Sequence, residues 1–391
     1  MKGSVRKRGK RYYIAFTIEE NGKRRRIERV CEATNKKEAE KELRQAISKY
    51  EADSAAFERN KHTVASIAEN WLKDYVNLNC GYHTRLNYKS CLLRHILEDL
   101  GPVRVQDLTT GLIQDFINRK AREYYSRPHI STMLIVIKGI LNYAANYYNL
   151  PVKALAVKIP KMIKPSIQRQ VISRDDFESM TEIFKGSCYY TLLMLAYYTG
   201  GRMSELLALT WSDVNFNDQY ISISKNLYYR YGLGFCFGKT KNRSSVRKVY
   251  MPEVLINCLQ EEKLKQSIAA TEKRYKHFTL TEKEIGVEKV LFIAKSPDED
   301  LGFLCRRNNG SYLKPNDVQY FMSHKLRNLG FSFTFHDFRH THATLLLQNS
   351  GNIKEISRRL GHAKIDTTMN IYIHSTEEGQ KELATLATGE K

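Results

Sequence analysis

The spacing of apolar residues changes along this chain of 391 residues, and that change constrains its fold more than any other feature. Residues 11–30 follow strand patterns, whereas residues 63–160 repeat apolar side chains at intervals of three and four. Helical patterns then dominate to the end of the chain. Because a single hydrophobic core rarely serves a chain of this length, we predict a multidomain α+β protein with domains at 1–60, 63–162 and 168–391.

The first segment predicts a small three-stranded β-sheet backed by one helix. Residues 11–18 are β-branched and aromatic, Glu-Asn-Gly-Lys at 20–23 is typical of a hairpin turn, and a further strand pattern follows at 24–30. Residues 36–50 then alternate charged residues with Ala, Leu and Ile at helical spacing.

Positive charge is concentrated on this segment. Residues 1–30 carry eleven Lys or Arg against three Glu, a net charge of +8 within a whole-chain net charge of +21. Such a surplus attracts polyanions and releases counterions from a phosphate backbone, so we expect a nucleic acid partner. The basic residues predicted to contact DNA are Arg6, Lys7, Arg8, Lys10, Arg11, Arg24, Arg25 and Arg26. The alternative is a charged, solvated hairpin that binds nothing.

Residues 63–162 predict a four-helix domain, with breaks at Gly-Pro (101–102) and Ser-Arg-Pro-His (126–129). Its repeating apolar residues are Ile67, Trp71, Leu72, Tyr75, Tyr88, Leu92, Leu93, Ile96, Leu134, Ile137, Leu141 and Ala144. Pro151, Pro160 and Pro165, together with Lys158, Lys161 and Lys164, predict an extended basic linker that packs into neither core. Ser173 is then predicted to cap the first helix of the last domain.

Other classes of protein are disfavoured. The chain has no apolar run of about 18 residues, and its first residues lack the apolar core of a signal peptide. Its seven cysteines are scattered without a Cys-x-x-Cys pair, which argues against a zinc site or a disulfide framework. This cysteine usage suits a reducing cytoplasm.

Six residues of the last domain carry the groups that a metal-free enzyme needs to cut a phosphodiester. They are Arg202, Lys239, His336, Arg339, His362 and Tyr372. Arg202 follows Thr-Gly-Gly at the start of a helix, where Glu205 could hold its guanidinium and free backbone N–H groups could help to bind an anion. His336 and Arg339, spaced i, i+3 on a predicted helix, could stabilise a pentacoordinate phosphate.

The remaining members of the set are assigned from local patterns. Lys239 lies between two strand patterns, where a β-hairpin is expected, and could protonate a leaving 5′-oxygen; Lys241 is the alternative. His362 follows a Leu-Gly helix stop and could hydrogen-bond the phosphate. Tyr372, expected on another helix, has a phenol that attacks well only when nearby cations stabilise its oxyanion.

These motifs resemble the tyrosine recombinase, or phage integrase, family. The residues that carry the resemblance are Thr-Gly-Gly-Arg-Met-Ser-Glu-Leu at 199–206, His-Asp-Phe-Arg-His at 336–340, and Leu-Gly-His at 360–362 followed by Tyr372. The resemblance implies an arm-type DNA-binding domain at 1–60, a helical core-binding domain at 63–162, and a mainly α catalytic domain with a small β-sheet at 168–391.

The resemblance also implies the reaction. Tyr372 would attack the scissile phosphate to form a 3′-phosphotyrosine, and the 5′-hydroxyl of a partner strand would then attack that linkage, without metal, ATP or any other cofactor. Implied partners are double-stranded attachment sites, three further copies of the chain in a tetramer on DNA, an excisionase and a DNA-bending protein, in the cytoplasm of a bacterial host.

Other functions remain open at this point. An Xer-like resolvase or a type IB topoisomerase would use the same chemistry, but the basic N-terminal segment and the helical domain favour an integrase of a mobile element or prophage. A non-enzymatic DNA-binding regulator would explain the charge but not the complete set of six residues.

Overall fold

The computed structural model describes residues 3–9, 11–20, 23–60, 62–151, 156–161, 171–239, 245–286, 288–327, 330, 334–350, 352–362, 365 and 369. The chain divides into two units, Met1–Ser166 and Ile167–Lys391. The first unit contains two separate hydrophobic cores, one under a small sheet and one within a helical bundle.

The N-terminal sheet has the predicted form. Strands β1 (Gly3–Arg8), β2 (Arg11–Glu20) and β3 (Lys23–Cys31) are antiparallel in the order β1-β2-β3. Glu20 pairs with Lys23, so the connection between β2 and β3 has two residues, as its Asn-Gly sequence predicts.

Helix α1 (Lys36–Asn60) covers one face of this sheet and continues ten residues beyond the predicted 36–50. Its residues Ala39 and Leu43 are buried against Ile14, Phe16 and Ile18 of β2. The alternation of apolar side chains along β2 therefore determines which face of the sheet α1 covers.

The helical bundle also has the predicted form. Its helices are α2 (64–79), α3 (82–100), α4 (Thr110–Arg122) and α5 (Arg127–Tyr148), and α2 and α3 contain π-helical turns at Trp71–Val76 and Leu92–Ile96. Two residues predicted to face the core, Tyr75 and Leu93, are 43% and 55% exposed. Both lie in the π-helical turns, where an extra residue per turn displaces the 3.6-residue period.

The linker departs from expectation. Residues 156–161 run along the bundle, where Lys158 exchanges two hydrogen bonds with Gln114, at 2.9 Å from its backbone N–H and 2.8 Å to its carbonyl. Val157 and Ile159 pack against the bundle core. The prediction that the linker packs into neither core is therefore wrong for this stretch, and residues 152–155 and 162–170 lie outside the described residues.

The second unit is mainly helical. Helix α6 (Arg174–Phe184) begins at Ser173, whose Oγ accepts the backbone N–H of Asp176 as predicted. The other helices are α7 (Tyr190–Thr199), α8 (Met203–Leu206), α9 (Glu253–Ala269), α10 (Pro315–Arg327), α11 (Phe335–Ser350) and α12 (Ile353–Leu360). Helix α7 is buried on nearly all sides, as its continuous apolar sequence predicts.

The second unit contains two antiparallel sheets rather than the one small sheet expected. One joins β4 (Val214–Asn215), β5 (Tyr220–Ile223) and β8 (Arg247–Tyr250), and β5 pairs antiparallel with both of the others. The other has the order β6-β7-β10-β9, from β6 (Lys225–Arg230), β7 (Gly234–Lys239), β9 (His277–Ile285) and β10 (Glu288–Ser296).

The structure refines the expected position of Lys239. It ends β7, the second strand of the β6–β7 hairpin, which lies in the sequence between the paired strands β5 and β8. Lys239 is therefore part of a β-hairpin, as expected, and lies at its open end, opposite Lys225.

In the parts of the chain that the structure describes, no helix combines the length and the apolar character needed to cross a bilayer.

Candidate active site

A buried carboxylate, Glu205 of α8, lies at the centre of the site. Its Oε1 accepts a hydrogen bond from Nη1 of Arg202 at 2.7 Å, and its Oε2 accepts from Nη2 of Arg247 at 2.9 Å. Burial alone would raise the pKa of Glu205, but the hydrogen bond and charge of Arg247, together with Arg202, lower it. The group is therefore an ionised carboxylate that fixes two arginines.

Arg202 presents the accessible cation of the site. It precedes the first residue of α8, just after Gly200 ends α7 in the left-handed region with φ 63°. Its side chain is 38% exposed, and its backbone N–H donates to Oε2 of Glu205 at 3.0 Å. Helix α8 has only four residues, and the Glu205 carboxylate already accepts a backbone N–H at its start. An anion would therefore be bound by the Arg202 guanidinium rather than by the free backbone N–H groups expected there.

Arg339 of α11 is buried and joins the ends of two helices. Its Nη1 donates to the carbonyl of Gly200 at 2.9 Å, and its Nη2 donates to the carbonyl of Leu360 at 2.6 Å. These bonds use two of the five N–H donors of a guanidinium. Burial and then the charge of Arg202 lower the pKa of Arg339 to about 9, so it remains a cation at neutral pH.

His362 lies beside these arginines. It follows Gly361, whose φ of 67° ends α12 as predicted, and its backbone N–H donates to the carbonyl of Ser357 at 3.0 Å. Burial, followed by the charge of Arg339 and of the other nearby cations, lowers the pKa of His362 to about 3. In the free protein the imidazole is therefore neutral at pH 7 and offers a neutral hydrogen-bonding group.

His336 is also close to His362, whose pKa it helps to lower. It is exposed on α11, one turn before Arg339, and its ring lies 5.1 Å from that of His340 in an edge-to-face arrangement. The structure thus brings together Arg202, His336, Arg339 and His362, four of the six residues singled out in the sequence.

The other two are only partly defined. Lys239 lies opposite Lys225 in the register of β6 and β7, and its side chain is outside the described residues. Tyr372, and Lys241 as the alternative acid, are wholly outside them.

Sequence reasoning missed Arg247. This arginine starts β8 with a side chain only 4% exposed, and it also donates from Nε to the carbonyl of Arg359 at 2.7 Å and from Nη1 to the carbonyl of Ser245 at 3.0 Å. A signal was present, because alternation in β8 puts Arg247 on the same buried face as Val249. An arginine at a core position of a strand requires a partner.

His342 is a buried histidine that joins α11 to the carbonyl end of α7 and to α12. Its Nδ1 donates to the carbonyl of Tyr197 at 2.8 Å, and its Nε2 accepts from Nε of Arg359 at 3.1 Å, which selects the tautomer. Burial and then the charge of Arg359 lower the pKa of His342 to about 4.

The charges in the site are unbalanced. Among the described residues of this cluster, the guanidinium groups of Arg202, Arg247 and Arg339 surround the carboxylate of Glu205, and the lowered pKa values of His342 and His362 leave both imidazoles neutral at pH 7. Three positive charges against one negative charge leave a net of +2, so the site favours an anion such as a phosphodiester.

Backbone register divides the basic residues of the N-terminal sheet between its two faces. Lys7 pairs with Tyr12 and Arg25 with Ile18, on the face that α1 covers. The uncovered face carries Arg6, Arg8, Arg11, Arg24 and Arg26. Lys10 lies outside the described residues. The predicted DNA-contacting residues therefore form one uncovered row of five and a separate pair.

Comparison with known families identifies the chain. The model of the phage integrase family matches residues 170–378, and that of the N-terminal SAM-like domain of phage integrases matches residues 63–121. The chain belongs to the phage integrase family. As a tyrosine recombinase it is an enzyme that cleaves and rejoins DNA in site-specific recombination.

Known relatives agree with this membership. The chain is 25% identical over 329 residues to a "tyrosine recombinase XerC-like" protein of Caldanaerobacter subterraneus, covering 80% of this chain and 79% of the relative. It is 24% identical over 313 residues to the ICEBs1 integrase of Bacillus subtilis, covering 76% and 75%.

Solved structures show the same fold. The Tn1549 transposon integrase in complex with transposon right end DNA superposes with a TM-score of 0.66 at 20% identity, covering 83% of this chain and 99% of that one. A lambda integrase tetramer bound to a Holliday junction gives a TM-score of 0.55 at 16% identity, covering 92% of each chain. The second unit therefore has the tyrosine recombinase fold.

Proposed function

We propose that this chain is an integrase that inserts or excises a mobile element or prophage, with its chemistry at the cluster around Glu205. The proposed catalytic residues are Arg202, Lys239, His336, Arg339, His362 and Tyr372. The observation that carries the proposal is the excess of positive charge around one buried carboxylate, where an exposed arginine lies beside a buried arginine and a neutral imidazole.

In this proposal the scissile phosphate binds between Arg202 and Arg339. Their guanidinium groups donate hydrogen bonds to its non-bridging oxygens, whose negative charge grows as phosphorus becomes pentacoordinate. His362 adds a neutral N–H donor. His336, exposed on the same helix as Arg339, faces the substrate side and completes the set of donors.

Tyr372 is the proposed nucleophile. Its phenol gives its proton to solvent water as its oxygen bonds to phosphorus, and the bond from phosphorus to the 5′-oxygen breaks while the Lys239 ammonium gives that oxygen a proton. The product is a 3′-phosphotyrosine and a free 5′-hydroxyl. Because a phosphodiester-like bond is kept, the 5′-hydroxyl of a partner strand can reverse the step without ATP.

The domains have separate proposed roles. Residues 1–60 bind arm-type DNA sites through the uncovered basic face of the sheet, residues 63–162 bind the core site, and residues 168–391 carry out catalysis. The lambda integrase structure is a tetramer on a Holliday junction, and we infer a homotetramer on DNA for this chain as well. An excisionase and a DNA-bending protein are its proposed accessory partners.

A nicked suicide substrate tests the proposed function, because loss of the short 5′-terminal fragment traps the covalent intermediate. Wild-type protein should form a DNA adduct that resists denaturant, and Tyr372→Phe should bind DNA but form none. Tyr320→Phe is the matched control, because Tyr320 is the tyrosine that precedes Tyr372 in the sequence and is 74% exposed.

Transfer of the trapped strand to a second duplex separates a recombinase from a topoisomerase. An adduct that persists in Tyr372→Phe would refute the nucleophile. No adduct from the wild-type protein on any attachment-site duplex would refute the whole proposal.

A further inference from the structure

We propose that Arg247 is a positioning residue for catalysis: it fixes the Glu205 carboxylate that orients Arg202, and it supports the turn that carries His362. This inference rests on the proposed function and adds to it a residue that does not itself touch the DNA.

All three nitrogens of the Arg247 guanidinium donate hydrogen bonds within the protein. Nε donates to the carbonyl of Arg359, Nη1 to that of Ser245, and Nη2 to Oε2 of Glu205, at 2.7, 3.0 and 2.9 Å. Its side chain is 4% exposed. Arg247 therefore uses three of its five N–H donors within the protein, one more than Arg339, and each of its three nitrogens has a protein acceptor, so we assign it a positioning role rather than contact with the phosphate.

The first connection runs through Glu205 to the substrate side. One oxygen of this carboxylate binds Arg247, and the other binds Nη1 of Arg202, which is the accessible arginine of the pair. With Arg247 in place, the carboxylate of Glu205 binds a buried arginine through one oxygen and an exposed arginine through the other. Without it, Glu205 would have Arg202 as its remaining arginine partner and would draw that guanidinium inward, away from the position expected for the phosphate.

The second connection runs to the end of α12. Arg247 binds the carbonyl of Arg359 and lies so close beneath the following turn that a Cβ atom added at Gly361 would be 3.0 Å from its Nη1. The next residue is His362. Arg247 thus supports two groups of the proposed phosphate site, which come from α8 and from the end of α12.

Lysine cannot replace this arginine. Three donors that point to three separate acceptors require the planar fork of a guanidinium, whereas an ammonium presents its donors from a single point. Residues that orient the ligands of a metal typically contribute about 10-fold to 100-fold to affinity or activity. We expect an effect of the same size on cleavage from Arg247, which orients groups proposed to contact the phosphate.

The test uses the full-length chain on the suicide substrate, in single turnover at saturating DNA. Arg247→Lys and Arg247→Met should slow covalent complex formation by about 10-fold to 100-fold while DNA affinity stays within about threefold. Lys248→Met is the matched control, because Lys248 is the next residue of β8 and its side chain is exposed. It removes the same charge from the same strand and should leave the cleavage rate at saturating DNA unchanged.

A double-mutant cycle identifies the route of the effect. If Arg247 acts through Glu205, combining Arg247→Lys with Glu205→Gln should cost far less than the product of the two single effects. Independent, multiplicative losses would overturn the inference. Arg247→Met removes one partner of a buried ion pair, which can unfold a protein, so cleavage rates are compared well below the measured Tm of each variant. If Arg247→Met does not fold, the cycle of Arg247→Lys with Glu205→Gln is sufficient for the test.

A substrate with sulfur in place of the bridging 5′-oxygen gives the final distinction, because it needs no acid. It should not rescue Arg247→Lys; rescue would mean that the residue acts through the Lys239 segment instead. Wild-type cleavage by Arg247→Lys, or an equal loss of binding and cleavage, would also overturn the inference while leaving the proposed function intact. Absence of an adduct from the wild-type protein would instead refute the proposed function.

Discussion

At the scale of single residues, the two arginines proposed to bind the phosphate have different surroundings. Arg202 is 38% exposed and is held by Glu205, whereas Arg339 is 3% exposed and holds the carbonyls of Gly200 and Leu360. Arg202 can therefore be changed at small structural cost, while Arg339 also belongs to the core.

Lysine substitutions should separate these two roles. Arg202→Lys and Arg339→Lys should each reduce cleavage by about 10²–10³-fold, because lysine cannot supply a bidentate fork. Only Arg339→Lys should also lower the free energy of unfolding, by about 1.5–3 kcal/mol, since buried carbonyls lose a charged donor. Single-turnover cleavage and urea denaturation measure the two effects, and equal stability losses at both sites would contradict this distinction.

Histidine protonation should make the catalytic unit sensitive to acid. His342 has a pKa of about 4 in the folded protein and an ordinary value of 6.5. The unfolded chain therefore binds the proton first, so this contribution to stability is complete above pH 6.5 and is lost as the pH falls toward 4. Between pH 7 and pH 5 the loss should be about 2 kcal/mol.

Urea denaturation at pH 7 and pH 5 tests this sign. The variant His342→Asn keeps a donor near the carbonyl of Tyr197 but cannot titrate, so its stability should change less between the two pH values than that of the wild type. An identical pH dependence in the two proteins would show that His342 is not responsible.

At the scale of elements, the end of α7 depends on a glycine. Gly200 has a φ of 63°, and a Cβ atom there would lie 2.7 Å from Cδ2 of His342 and 2.8 Å from Cδ2 of Leu360. Gly232 has a φ of 78° and nothing within 4 Å of the same position. The two glycines share a left-handed backbone but differ in crowding.

Alanine at both positions should therefore separate backbone strain from steric overlap. Gly232→Ala should cost about 1–2 kcal/mol, from the left-handed backbone alone. Gly200→Ala should cost a further 1–3 kcal/mol or so for overpacking and should also reduce cleavage, because the carbonyl of Gly200 anchors Arg339. The free energies of unfolding measure the difference, and equal values would remove crowding as the reason for Gly200.

Local sequence patterns predicted the ends of helices better than they predicted strands and buried positions. Ser173 and Gly361 cap helices as predicted, because capping depends on a few neighbouring residues. Strands β9 and β10 were not anticipated; in β9 only Phe278 is buried, so the alternation that marks a half-buried strand is absent. Tyr75 and Leu93 are exposed because π-helical turns shift the phase of their helices.

Four candidate site residues could be recognised from the sequence, but the contacts that connect them could not. Arg202, His336, Arg339 and His362 were recognisable from local motifs, and the structure places them together. Arg247 was missed because its partners, Glu205 and the carbonyl of Arg359, are 42 and 112 residues away in the sequence. Contacts of such separation are products of the tertiary fold, and a local pattern can show only that a partner is required.

At the scale of the whole molecule, positive charge on the N-terminal sheet should govern binding to full attachment sites. Replacing Arg6, Arg8 and Arg11 by Gln should reduce the slope of log affinity against log salt by about 2–3, if each contacts one phosphate. Cleavage of a short core-site duplex should be unchanged. Binding titrations at several salt concentrations and single-turnover cleavage measure the two effects.

The matched control removes the same charge from the other side of the module. Lys36, Lys37 and Lys41 are exposed on α1, and their replacement by Gln should leave most of the slope intact. Deletion of residues 1–60, which ends with α1 rather than within it, should preserve core-site cleavage and impair recombination between full sites. Full recombination by the deletion variant would leave the basic sheet without a role in DNA binding.

The anchoring of Arg339 has a practical consequence for trapping recombination intermediates. Carbonyl oxygens of Gly200 and Leu360 already order this side chain in the free protein, so little conformational entropy remains to be lost when DNA arrives. We expect a variant without it to lose both activity and stability, so that a failure to form synaptic complexes would have two possible causes. If Tyr372 is the nucleophile, as proposed, Tyr372→Phe is the better inert protein for capturing such complexes, because it leaves the contacts of Arg339 with Gly200 and Leu360 unchanged.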